Sequence, residues 1–223
     1  MATNAKMVET EIKIQKAFIQ LLQQEGFGKL SVQQLVKLAG ISRGTFYLHY
    51  FDKYDLLNHY EDEIVSHVNS IFERFPKPMM QNSRGKTTHE NDAFFQLFKY
   101  LYRQRELAAL LLNESSTQLI SKVKQLIVAV LRQGDGDAAN NSGQVPSEYA
   151  QEIVSQGVLD IIVYWLNQNP VLSPEEAYHI FRQTRLLTPE QLTRQIKGSA
   201  NIRLVCEHQK NRQDVDGFRK YAD

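Results

Sequence analysis

From Ser42 to Lys53 the chain reads SRGTFYLHYFDK, a stretch dense in groups that can make directed contacts. Phe46 and Tyr50 are one helical turn apart and can face a core, which leaves Arg43, Thr45, Tyr47 and His49 pointing outward. Arg43 carries the planar fork that fits guanine O6 and N7. Thr45 offers a hydroxyl and a methyl, and Tyr47 can reach a phosphate or lie on a thymine methyl. Gly44 is tolerable in a first helical turn and leaves room for something to approach closely. Groups of this kind on one short helix could read base edges.

Two other groupings could do chemistry and are weaker. His59, Glu63 and His67 share one helix face and could suggest a metal site. The two imidazoles are about 12 Å apart along such a helix, too far for one ion to take both. A solvated helix face is the better reading. Cys206-Glu207-His208 could suggest a thiol beside a base, but adjacent residues seldom face each other and no orienting group is identifiable. No cofactor, metal or catalytic constellation is expected, so the chain does not read as an enzyme.

The elements needed to hold the outward set are legible around it. Ile14, Ala17, Phe18 and Leu21 recur at helical steps and predict a helix over 8–25, closed by Gly26 and Gly28. Ser31 and Gln34 form a capping box that opens a second helix with Val32, Leu35 and Val36 inward. Gly40 sits where the chain must turn, in a left-handed conformation cheap only for glycine, and Ser42 caps the third helix. Leu57, Tyr60, Ile64, Val68, Ile71 and Phe75 then predict a long fourth helix, from an Asp52 cap to Pro76.

Beyond it, residues 76–91 and 133–146 read as loops. Helical patterns run from Asp92, divided near 104–106, then over 116–132 and 147–169. Two capping boxes, Ser173 with Glu176 and Thr188 with Gln191, start the last helices. The expected organisation is all-α: residues 1–54 a helix-turn-helix DNA-binding domain, 55–198 a helical effector-binding and dimerisation domain, and 199–223 a polar tail. Phe98, Tyr102, Tyr164 and Trp165 are candidate lining for an effector pocket.

Charge and composition narrow the class. The chain has 26 basic and 25 acidic residues, which argues against a protein that coats nucleic acid by bulk attraction. A single cysteine allows no intrachain disulfide. No signal-peptide core or membrane-length apolar run is present, so a soluble cytoplasmic protein is expected.

The head resembles the TetR family of bacterial transcription regulators. The resemblance rests on the long first helix, Ser31-Val32, and Gly40-Ile41-Ser42-Arg43-Gly44-Thr45-Phe46-Tyr47. Tyr50, Lys53 and Leu56-Leu57 come next at matching spacing, and the whole covers about residues 8–58. Tyr50 stands where the family usually has Phe, and Phe51 where a polar residue or Pro is common. The resemblance implies a homodimer on a palindromic operator in double-stranded DNA. It also implies a DNA-contact set of Ser31, Val32, Ser42, Arg43, Gly44, Thr45, Tyr47, His49 and Lys53. Ser31 and Lys53, at helix N-termini, would grip phosphate while Arg43, Thr45 and Tyr47 read sequence. Residues 147–187 are similar to one C-terminal subtype of the family. That leaves two expectations open: a repressor released by a small-molecule effector, or an activator that answers to a protein coactivator.

Overall fold

The computed structural model describes residues 2–75, 89–132 and 145–196. The 199–223 tail with Cys206-Glu207-His208, and most of the two expected loops, lie outside the described residues. All regular structure among the described residues is helical. The helices are α1 (Ala2–Lys29), α2 (Val32–Ala39), α3 (Arg43–Tyr47), α4 (Lys53–Arg74), α5 (Ala93–Arg103) and α6 (Arg105–Asn113). They continue with α7 (Leu119–Arg132), α8 (Ser147–Leu166) and α9 (Pro174–Leu186). A short α10 occupies residues 189–196. No described helix is long and apolar enough to cross a membrane.

The chain divides into two compact units, residues 1–178 and 179–223. In the described part of the second, the end of α9 leads to α10, which the Thr188–Gln191 box opens. The first unit carries the helix-turn-helix of α2 and α3. There α1 breaks at Gly26, whose φ of 73° lies in the region other residues avoid. The break turns Phe27 into the core beside Phe18, their ring centres 6.5 Å apart. Phe18 in turn meets Tyr60 of α4 at 5.2 Å, so one aromatic column ties the first helix to the fourth.

The long α4 is head and body at once. Its Leu56, Leu57 and Tyr60 are buried near its start, and Ile64, Val68 and Phe72 further along. The expected last steps, Ile71 and Phe75, are only half-buried, and Phe72 takes the core position instead. A 3.6-residue helix drifts around its axis, so a 3-4 stepping carried over six positions slips by one residue. Toward its C-terminus, α4 packs on α5 and α7, while α6 and α7 pack on α8. Asp92 caps α5 through Phe94 N–H at 2.8 Å and also accepts from the Tyr178 hydroxyl, which pins the start of α9 to α5.

Candidate nucleic-acid interface

Helices α2 and α3 meet at Gly40, whose φ of 66° and ψ of 36° are left-handed. The Ile41 N–H returns to Val36 O at 3.1 Å, closing α2 before the chain reverses. Ser42 then caps α3 by accepting from Thr45 N–H at 2.9 Å, and the two hydroxyl oxygens lie 2.8 Å apart. Phe46 is fully buried and fixes the roll of α3; Tyr47 packs edge-on against it and stays 56% exposed. Arg43 and Gly44 are exposed, and Thr45 and His49 are half-buried. Arg43 has no hydrogen-bond or ion-pair partner among the described residues. Its fork is free.

The two residues expected at phosphates are placed differently. Ser31 donates its hydroxyl to Gln34 Oε1 and accepts from Gln34 N–H at 3.3 Å, so it is occupied as the α2 cap, with Val32 half-buried beside it. Lys53 turns inward. Its Nζ lies 3.0 Å from Phe27 O, 3.2 Å from Gly28 O and 2.9 Å from Leu30 O. The N-terminus of α4 is likewise taken: Asp52 accepts from the Tyr54 and Asp55 N–H groups, and Asp55 from the Phe51 N–H.

Beneath the surface lies a polar device that sequence reasoning misses. The Glu11 carboxylate accepts from Tyr50 Oη at 2.6 Å and from Tyr60 Oη at 3.0 Å. Burial, then the negative Glu11, pushes both phenols well above the ordinary tyrosine range. Tyr100, half-buried and stacked on His67, is pushed up to about 12 by burial and then by Glu63. The unfolded chain gives up these protons from about pH 10, while the folded chain keeps them. Their contribution is therefore complete below pH 10 and is lost as pH rises toward the folded values. Urea midpoints should fall steeply above about pH 10, and Tyr60→Phe should flatten that fall. A Tyr60→Phe profile parallel to the parent would contradict it.

The metal reading gains nothing: His59 lies against the Tyr50 and Tyr60 rings, and no cluster among the described residues could hold a metal ion. The four aromatics expected to line a pocket are placed as follows. Phe98 and Trp165 are buried against each other at 4.9 Å, Tyr102 stacks on Trp165 at 6.4 Å, and Tyr164 is 70% exposed. A cavity of about 30 Å³ lies instead among Ile64, Val68, Leu101, Leu112, Val123 and Leu159, and none of the four aromatics lines it. The gap opens where aliphatic side chains from α4 to α8 fail to interdigitate.

Fold and surface together define an all-α, helix-turn-helix DNA-binding protein. Residues 14–60 match the bacterial regulatory proteins of the tetR family, and residues 88–185 match a transcriptional regulator C-terminal region. The chain belongs to the TetR family of transcriptional regulators. A TetR transcriptional regulator from Streptococcus agalactiae superimposes with a TM-score of 0.55 at 19% identity, covering 83% of this chain and 98% of that one. The fatty acid degradation regulator FadR from Bacillus halodurans gives 0.57 at 18% identity, covering 82% and 97%. A TetR-family regulator from Haemophilus influenzae gives 0.53 at 17%, covering 81% and 96%. No curated protein matches the chain.

Proposed function

We propose that the protein acts as a homodimeric repressor on a palindromic operator and is released by a small apolar effector in its helical body. The observation that carries this reading is the double duty of α4. Its N-terminal half is packed into the head, and Ile64, Val68 and Phe72 of its later turns line the cavity. The wall of the cavity and the mount of the reading head are one helix. At about 30 Å³ the cavity is well below the roughly 150 Å³ that admits benzene in an apolar core. An effector must part α4 from its neighbours to enter, and that displacement changes the spacing of two heads in a dimer.

A twofold partner fits α8, where Tyr149, Ile153 and Tyr164 are 66%, 67% and 70% exposed along one stripe. The same stripe supports the second reading, an activator whose body binds a protein coactivator. Light scattering at micromolar concentration tests the twofold partner: a dimer supports it and a monomer overturns it.

Arg43, Thr45 and Tyr47 are the proposed readers, with Ser42, Gly44 and His49 completing the contact surface and Val32 at its edge. Arg43→Ala is expected to cost about 1–3 kcal/mol on the preferred duplex and to relax sequence choice, with little loss on scrambled DNA. Titrations on a duplex selected from random sequence and on its scrambled form check this. Equal losses on both would remove Arg43 from the readers.

A further inference from the structure

Leu48 is 85% exposed, the highest exposure among the large apolar side chains of the described residues, and the fold fixes where it stands. Its N–H donates to Gly44 O at 3.1 Å and its φ of −76° and ψ of −22° are helical, so it continues the register of α3. Successive residues on such a helix are about 100° apart. With buried Phe46 marking the inward direction, Thr45 and Tyr47 lie about 100° to either side. Gly44 and Leu48, one turn apart, both lie about 160° from it. The line facing away from the core therefore runs through a glycine and a leucine, with Thr45 and Tyr47 as its flanks.

A leucine cannot form a hydrogen bond with a base or a phosphate. The apolar feature that the major groove offers is the C5 methyl of thymine. We propose that Leu48 is a specificity-determining residue that recognises a thymine methyl in the major groove, with Gly44 letting the helix backbone come close enough for the contact. The occupant is set by continuity: the leucine stands in the middle of the proposed helix-turn-helix reading surface, between Tyr47 and Thr45, with Arg43 beyond Tyr47. A Cβ at Gly44 would meet only Ser42 Oγ, at 3.6 Å, an ordinary contact. The fold does not need the glycine. The groove does.

The inference rests on the DNA-reading role proposed above, and the test separates the two. The probe is the duplex that wild-type protein enriches from random-sequence DNA, remade with each thymine replaced singly by deoxyuridine, which lacks the methyl. One such replacement should weaken wild-type binding about fourfold, the loss of one buried methyl, and leave Leu48→Ala binding unchanged. Leu48→Ala itself should weaken binding to the intact duplex about tenfold, and selection with it should relax the choice at that same position. Gly44→Ala should weaken binding on the order of tenfold by forcing the backbone away, without lowering the melting temperature. Equal binding by Leu48→Ala and wild type, or deoxyuridine losses identical in both proteins at every position, would overturn the inference and leave the DNA-reading role standing. Enrichment of no sequence by wild type would overturn both.

Discussion

Replacing Glu61 with alanine is expected to cost the fold about 3 kcal/mol, the low end of the range for removing one partner of a buried ion pair. Glu61 lies on α4 and is 1% exposed. Its Oε1 accepts from Gln118 N–H at 2.8 Å, ahead of the first turn of α7, and its Oε2 lies 2.8 Å from Lys122 Nζ. The Oε2 contact is one of charge, without the alignment of a hydrogen bond. Lys122 also reaches Asp62 at 2.7 Å. Burial alone would lower the Lys122 pKa, but the Asp62 and Glu61 carboxylates outweigh it and the value lies above the ordinary one. Alanine leaves the Gln118 N–H without its acceptor and Lys122 with one carboxylate instead of two. Lys122 is 24% exposed at its side chain and keeps Asp62, so its share of the cost is softened by water. Glu61→Gln keeps an acceptor for Gln118 and should cost about 1–2 kcal/mol. Urea midpoints of the two variants check this, and a Glu61→Ala midpoint equal to the parent's would mean the pair contributes nothing net.

That pair also shows where sequence reasoning stops. Capping boxes are local, so Ser31 with Gln34 and Ser173 with Glu176 are legible from spacing alone, and both are formed. The αL turn at Gly40 is legible for the same reason. Glu61 is not, because a glutamate in a helix reads as solvated until Lys122, far along the chain, is known to face it. The cavity is hidden differently. Its lining is Leu, Ile, Val, Ala and Phe, indistinguishable in sequence from any core, and a void is a shortfall of packing that no residue type announces. The polar and aromatic residues proposed as readers draw attention in the sequence because such residues beside a turn have few other uses. Leu48 escapes notice because an apolar residue is assumed to point inward, and only the roll of α3 set by Phe46 shows otherwise.

Lys53 is the other residue whose type is legible and whose direction is not, and it gives a second large expected effect. Lys53→Met should destabilise the head by about 2–3 kcal/mol and leave the salt dependence of DNA binding unchanged. An ammonium has three protons, and here three carbonyls, those of Phe27, Gly28 and Leu30, take them. These carbonyls lie at the end of α1, where backbone acceptors lack helical partners and a cation is favoured. The Nζ also stands 4.8 Å from the Phe27 ring centre and 5.4 Å from that of Tyr54, a further contribution of about 0.5–1 kcal/mol. Methionine keeps most of the stem and removes the charge, so the change isolates the ammonium. If Lys53 instead neutralised a phosphate, its loss would reduce the slope of log K against log salt by about 0.9 and leave the urea midpoint in place. Paired measurements of midpoint and slope separate the two. A reduced slope with an unmoved midpoint would return Lys53 to the DNA surface; a lowered midpoint with the parent slope makes it the brace that holds α1 against α4 and, through α4, keeps the reading helix in position.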